Sequence, residues 1–420
     1  MEKFVRSCIV THLFQNNLLS DRQFGFLTGR STVLQLLYYL DNCVNIIADG
    51  GVVDTIYMDF SKAFDTVAHK RLLHKISAYG ICGELLNWIK AFLTGRSQIV
   101  KVNGTESNPV DVISGVPQGS VLGPLLFVIY INDILDDINS DGLLYADDTK
   151  IFRMISCEND ALVLQDDIEN LERWSEKWLL KFHPSKCHVL SLGRFENIQH
   201  TQRYKILNKE LEHVFEEKDL GVLIDSDLTF AEHISSKVNL ANSVMGLIRR
   251  SFSYLDKHTF KKLYSAFVRP HLEYAQCIWS PKSKKYVDMI ENVQRRATKL
   301  VDGLANCDYM DRLRYLDLPT LVYRRSRGDM IEMFKHFNVY QRETLSKSFH
   351  PKSRPSRQHD YQLHERRTKD GERGVHSKWF YQRAIPTWND LPKDVVNCSS
   401  MNQFKNKLDA VWLDNRYLER

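Results

Sequence analysis

The chain is 420 residues long, 43% hydrophobic and 26% charged, with a formal net charge of +5. This length accommodates two or three domains with ordinary cores, and the composition excludes a low-complexity, collagenous or disulfide-built protein. So small a net charge permits a polyanionic partner without requiring one, but the charge is uneven: residues 321–380 hold fourteen Lys and Arg against seven Asp and Glu.

The eight cysteines stand singly, with no CxxC and no paired histidine spacing. That argues against a structural zinc site and for free thiols in a reducing, intracellular compartment, nucleus or cytoplasm. The opening MEKFVRSCIVTHLFQ is too interrupted by charge to be a secretory signal. The apolar run 121–138 ends in Asn132, Asp133, Asp136 and Asp137. It is too short and too charged to span a bilayer and predicts a buried helix, so no membrane partner is expected.

In chain order, Ser31-Thr32 caps an amphipathic helix carrying Val33, Leu36, Leu37, Leu40, Val44 and Ile47, which Gly50-Gly51 breaks. Residues 52–60 (VVDTIYMDF) are β-branched and aromatic and predict a strand ending near Asp59. Asp65 is placed to cap a helix over 66–78, and a second short helix follows over 84–93. Asn103-Gly104, between 98–102 and 110–113, signals a hairpin. The Gly/Pro-rich loop 115–124 (GVPQGSVLGP) ends in Pro124, which suits the first turn of the next helix. Residues 142–145 and 149–152 flank a hairpin tip that carries Asp147-Asp148. A helix over 160–180 keeps Leu164, Ile168, Leu171, Trp174 and Trp178 on one side, and strands follow at 189–192 and 220–224. From His233 onward the texture is helical, over 237–250, 257–267, 286–300 and 321–336. Residues 341–378 are polar and basic and read as a linker or arm, and 379–408 regain apolar content. With Tyr361, Trp379, Phe380 and Tyr381, this arm reads equally as a nucleic-acid contact or as a solvated segment.

Asp59 at a strand end and Asp147-Asp148 at a hairpin tip carry the chemistry. If their strands are neighbours, three carboxylates converge, a donor set for two divalent ions that bridge to an incoming triphosphate. One ion would lower the pKa of an attacking hydroxyl and the other would stabilise a leaving pyrophosphate. Either motif alone is ordinary turn chemistry. Together, with a Gly-rich loop between them, they favour the metal reading.

Three segments resemble motifs A, B and C of reverse transcriptases: Asp59-Phe60-Ser61-Lys62-Ala63-Phe64-Asp65, the loop 115–124, and Tyr145-Ala146-Asp147-Asp148. Gln23-Phe24-Gly25-Phe26 with Gly29-Arg30-Ser31-Thr32 is similar to the motif that precedes A in non-LTR retrotransposons, above all the jockey-like elements. Residues 181–187 and 219–225 resemble motif D and the primer-grip region, and Tyr264 with 269–274 resembles the thumb. The resemblance covers about residues 21–235 and implies an α+β right-hand polymerase with an antiparallel palm sheet. Partial fingers would span 1–50, and a palm 51–232 with fingers helices inserted at about 66–109. A helical thumb would span 233–340 and a basic C-terminal region 341–420.

The resemblance implies RNA-directed DNA synthesis with Mg²⁺ or Mn²⁺, two ions, taking dNTPs, an RNA template and a DNA primer or nicked target. Asp59, Asp147 and, less directly, Asp148 would bind metal, and the Phe60 carbonyl would complete one shell. Phe64 falls where the family places a steric gate against the 2′-hydroxyl, and also reads as a core aromatic. Gln118 and Gly119 would lie along nucleotide and template, although Gln118 also reads as a brace for its own loop. Arg30 would contact template or triphosphate. Lys186 would protonate the pyrophosphate, or is simply a solvated lysine. Leu220, Gly221 and Val222 would form the primer grip. Two positions depart from the pattern: Leu27 stands where an Arg is usual, and His183 where Asn is common. The full elements carry a fingers hairpin and an endonuclease upstream, so this chain is expected to be their rear part, with no endonuclease encoded in it. The other reading is a truncated remnant that binds nucleic acid without catalysis; a maturase fits the jockey-like motifs less well.

Overall fold

The computed structural model describes residues 1–193, 203–281, 283–340, 348–352, 359–365 and 379–417. These residues divide into two compact units, one of residues 1–35 and 50–215, the other of 36–49 and 216–420.

The first unit carries β1 (Val52–Met58), β2 (Arg96–Gln98), β3 (Lys101–Val102), β4 (Thr105–Glu106), β5 (Val110–Val112), β6 (Asp141–Tyr145), β7 (Asp148–Ile155), β8 (His188–Leu192), β9 (Lys205–Ile206), β10 (Lys209–Glu210) and β11 (Glu212–Val214). Five of these form one sheet in the order β11-β8-β1-β7-β6. The sheet is antiparallel except at its edge, where β11 runs parallel to β8. The expected antiparallel palm sheet is therefore mixed at one margin. The central strand β1 is buried at every position but Tyr57, as its run of β-branched residues requires.

The hairpin signal at Asn103-Gly104 resolves into two stacked ladders, β3 with β4 at the tip and β2 with β5 below. Positive φ at both turn residues, 49° and 84°, marks the tight two-residue turn that Asn-Gly favours. The apolar run after the loop becomes the helix Gly123–Ile131, buried from Leu125 through Ile131; a helix apolar all round has to be a core helix. Around it pack the helix Glu158–Trp178 and an N-terminal helix Glu2–Gln15 that presents Val5, Ile9 and Leu13.

An acidic side chain lies deep in the sheet. Asp54 of β1 is 2% exposed and accepts hydrogen bonds from Ser191 Oγ at 2.6 Å and Tyr204 Oη at 2.8 Å. A buried carboxylate persists only when its oxygens are satisfied.

Among its described residues the second unit holds the hairpin of β12 (Glu216–Asp219) and β13 (Val222–Asp225) and is mostly helical. Its helices are Ala231–Ser251, Lys257–Leu263, Arg269–Glu273, Gln276–Trp279, Lys284–Thr298, Tyr309–Leu316, Leu321–Asn338, Phe380–Asn389, Lys393–Val396 and Met401–Val411. Between Leu263 and Arg269 the helix opens into one π turn, Tyr264–Val268. Pro270 lies two residues beyond it, and a proline without an N–H disfavours a continuous α-ladder there. The helix Thr32–Ala48 begins in the first unit and continues in the second. Most of the basic arm 341–378 lies outside the described residues. Among the described residues no helix is long and apolar enough to cross a membrane.

Tyr204→Phe leaves Asp54 Oδ2 without its donor. It is expected to lower unfolding stability by about 1–3 kcal/mol in urea titration, with the sheet intact by circular dichroism.

Candidate functional site

Strand β1 ends with Met58 opposite Thr149 of β7. The next residue, Asp59, therefore comes beside the β6–β7 turn, where Tyr145 pairs with Asp148 and Ala146-Asp147 make the bend. On its other side β1 pairs Tyr57 with His188, which brings the short 3₁₀ turn Pro184–Lys186 alongside Asp59. His183 N donates to Asp59 O at 2.8 Å, and Lys186 Nζ stands 2.9 Å from Asp59 Oδ2. Asp59, Asp147 and Lys186 thus come together from three separate stretches of chain.

The electrostatics follow from this placement. Burial pushes the Asp147 carboxyl above its ordinary value, and the negative charge of Asp59 adds to the rise. Lys186 is exposed, and its hydrogen bond and charge contact with Asp59 hold its ammonium above the usual lysine value. It is a cation at neutral pH.

The three-carboxylate convergence expected from the sequence is not what the structure holds. Asp148 opens β7 with its side chain exposed, and among the described residues no group of three or more His, Cys, Asp or Glu is arranged to hold a metal. The pair Asp59 and Asp147 still fits a hard divalent ion. Both are oxygen donors, they carry like charges that call for a cation, and one already has an ammonium against it. One or two carboxylates, with water and phosphate oxygens completing the shell, is the ordinary way to hold Mg²⁺.

Phe60 turns its ring into the core, stacked on Phe182 at 4.4 Å. Phe64 is half-buried, stacked on Phe127 at 4.3 Å and edge-on to Phe26 at 6.3 Å. The loop 115–124 is fastened to this same stretch: Gly115 N donates to Val67 O and Val116 N to Phe64 O, both at 2.8 Å. Gly115 has φ +85°, and a Cβ there would lie 2.7 Å from Asp65 O, so only glycine fits. Gln118 is exposed and donates its amide to Asp65 Oδ1 at 2.8 Å, while Gly119 is exposed with open space around it.

Two expected roles are corrected. Asp65 does not cap the next helix; it sits inside the single turn Ala63–Thr66 and receives Gln118, and the helix that follows is His69–Ala78, with Ala68 at its cap. Arg30 does not face a ligand. Its side chain is 1% exposed, pairs with Asp21 at 3.1 Å and donates to the carbonyls of Ser20, at 2.8 Å, and Gln23. The guanidinium fork is consumed in tying down its own loop. Leu27, where an arginine was expected, is likewise buried in the apolar core.

Leu220, Gly221 and Val222 belong to the second unit. Leu220 and Gly221 form the β12–β13 turn with φ 45° and 86°, and Val222 starts β13, buried. Tyr274 Oη donates to Leu220 O at 2.7 Å, and a Cβ on Gly221 would come within 3.1 Å of the Tyr274 ring. His233 Nδ1 accepts from Leu223 N at 3.1 Å. The sequence placed Tyr274 only within the run that resembles the thumb and gave His233 no role; their contacts lie 54 and 10 positions away in the chain and leave no local pattern.

A model of the family "Reverse transcriptase (RNA-dependent DNA polymerase)" matches residues 1–230. The chain is 28% identical over 318 residues to the RNA-directed DNA polymerase from mobile element jockey of Drosophila funebris, covering 72% of this chain and 34% of that protein. It is 27% identical over 331 residues to the probable RNA-directed DNA polymerase from transposon BS of Drosophila melanogaster, covering 74% and 35%. The chain thus spans about a third of the length of these curated relatives. Among solved structures it is similar to telomerase from Candida albicans in complex with a fragment of telomeric RNA, at 10% identity and a TM-score of 0.42, covering 75% of this chain and 58% of that one.

Burial lowers the His233 pKa from 6.5 to about 4. The unfolded chain therefore binds the proton first, and stability is full above pH 6.5 and lost as pH falls toward 4. The thermal midpoint should drop across that window by the equivalent of up to about 3 kcal/mol, and His233→Leu should flatten the dependence.

Proposed function

We propose that this chain, which belongs to the reverse transcriptase (RNA-dependent DNA polymerase) family, is the polymerase segment of a non-LTR retrotransposon protein and copies RNA into DNA. The observation that carries the reading is the pairing of Asp59 with Asp147 at adjacent strand ends, with Lys186 on Asp59, inside the region that matches the family.

Asp59 and Asp147 would hold divalent metal, Mg²⁺ or Mn²⁺ and two ions in our reading, with the Phe60 carbonyl as a further donor. Bound there, it would lower the pKa of the primer 3′-hydroxyl and neutralise charge on the triphosphate and the leaving pyrophosphate. The hydroxyl oxygen bonds to the α-phosphorus of the dNTP, and the bond to pyrophosphate breaks. Lys186, kept protonated beside Asp59, gives its proton to the departing oxygen. Phe64, its ring fixed by Phe127, lies under the sugar and excludes a 2′-hydroxyl. Gln118 and Gly119 line nucleotide and template on a loop anchored through Asp65. The turn at Leu220–Val222 grips the primer, and residues 233–340 form the thumb. The natural template is the element's own RNA and the primer a nicked target DNA, so the reaction runs in the nucleus or cytoplasm, with nicking supplied outside this segment.

Primer extension tests the proposal: folded chain, oligo(dT) on poly(rA), dTTP and Mg²⁺ or Mn²⁺. Extension that falls at least about 100-fold with Asp147→Asn supports it, since several kcal/mol of charge stabilisation at the reacting phosphate go with the ligand. Retained primer–template binding with no extension by wild type overturns it and leaves a binding protein. Within an active chain, Lys186→Ala should lower kcat by roughly 100-fold with the dNTP KM little changed.

A further inference from the structure

The β6–β7 turn that carries Asp147 is strained and is held from behind by one buried side chain. Ala146 sits at φ +55°, the left-handed region that a residue with a Cβ avoids at a cost of about 1–2 kcal/mol. Such a conformation persists only where its surroundings over-determine it. Here the surroundings are the segment 22–25, which runs parallel to β6: Leu144 N donates to Arg22 O at 2.9 Å, and Phe24 N to Leu144 O at 2.7 Å. From this segment Gln23, fully buried, sends its Oε1 across to the turn. That single oxygen accepts from Ala146 N at 3.0 Å and from Gly25 N at 2.7 Å.

Gly25 completes the clasp. A Cβ at that position would lie 2.4 Å from Ala146 N, so any other residue would push the turn away. The segment is in turn anchored by Arg30, through the carbonyls of Ser20 and Gln23, and by Asn132, which bonds Leu18 O at 2.7 Å and Ser20 N at 2.9 Å.

One detail separates this from ordinary core packing. Gln23 Nε2 is buried and has no hydrogen-bond partner among the described residues. A buried donor left unmade costs about 1–3 kcal/mol, so a glutamine kept only for stability is a poor choice here. Its Oε1 is placed on the residue before Asp147.

We infer that Gln23 is a positioning residue for the reaction: with Gly25 it sets the bend at Ala146 and so the distance at which Asp147 can share a cation with Asp59. The inference rests on the proposed function, since it concerns the same pair of carboxylates. Groups that orient metal ligands without touching the ion commonly change affinity or activity by roughly 10- to 100-fold when removed.

The test uses the whole chain with Gln23→Met, close in size but without the acceptor, and Gly25→Ala, which attacks the same contact from the other side. Three quantities are read: Mn²⁺ affinity by electron paramagnetic resonance of the free ion, the Mg²⁺ half-saturation of primer extension, and the thermal midpoint. The expected result for each variant that folds is a loss of Mn²⁺ affinity of about tenfold or more, with a matching rise in Mg²⁺ half-saturation and an unchanged KM for primer–template. A role in folding alone would lower the midpoint and the active fraction while leaving both metal readings of the folded protein at wild-type values, and that result overturns the inference. A wild-type chain that neither extends primer nor loses Mn²⁺ affinity on Asp147→Asn removes the function reading, and the clasp's role with it. Wild-type activity with variants of undiminished affinity removes the clasp alone.

Discussion

Two carboxylates of like charge have to be kept close together, one of them half out of water, and most of the first unit answers to that constraint. Left to themselves Asp59 and Asp147 would separate or one would take up a proton; burial raises the Asp147 pKa first, and the charge of Asp59 adds to the rise. Neither residue is on a free loop. Asp59 is the first residue beyond a central strand paired on both sides, and Asp147 is in a two-residue bend whose flanking residues pair with each other. Each position is therefore fixed by ladder register, and a slip of one residue would turn the carboxylate to the opposite face.

The same economy explains the surrounding loops. The loop 115–124 takes its shape from backbone bonds to 64–67, from the room that Gly115 leaves for Asp65 and from Val116 and Leu122 buried in the core. Phe64 is held by Phe127, a residue of the fully buried helix, so its ring is referred to the core rather than to the solvent side. The groups that would meet a substrate are thus exposed or half-exposed, while those that locate them are buried. Rigid support beneath an accessible site is what positioning chemistry to a fraction of an ångström requires.

How much of this was legible in the sequence depended on the range of the interaction. The hairpin bearing Asp147, the strand before Asp59 and the helix Glu158–Trp178 each announce themselves by alternation, turn residues or helical spacing, and their bounds fall within a few residues of expectation. The adjacency of β1 and β7 was a condition the sequence could state but not establish. What stayed hidden was decided by distant partners. Asp65 looks like a cap until Gln118, far along the chain, is seen to claim it. Arg30 looks like a ligand contact because arginine next to small polar residues so often is one, yet three local acceptors take up its donors. The helix Glu2–Gln15 has its buried residues at Val5, Ile9 and Leu13, a true four-residue spacing diluted by polar neighbours. Lys75 carries no sequence mark at all, yet it is buried against Tyr130 O and Asp133 with its ammonium 3.7 Å from the Trp178 ring, and burial holds its pKa down to about 8.

The second unit shows the same division between holding and presenting. Its β12–β13 turn places two successive residues at positive φ, which Leu220 tolerates poorly and Gly221 freely. A turn of that kind needs outside support, and it comes from the Tyr274 hydroxyl on the Leu220 carbonyl and from the His233 ring on the Leu223 amide. Tyr274 is itself fixed, since its carbonyl accepts from Trp279 Nε1 at 2.8 Å, and its neighbour Glu273 is clamped by Arg324 through both carboxylate oxygens. The run 269–274, recognisable in the sequence only as part of a family pattern, therefore has a physical reason for its residue types: an acid that locks its helix to the later helix Leu321–Asn338, followed by an aromatic hydroxyl long enough to reach a hairpin turn. In both units a bent backbone that would not hold its shape alone is set by polar side chains reaching in from separately anchored segments.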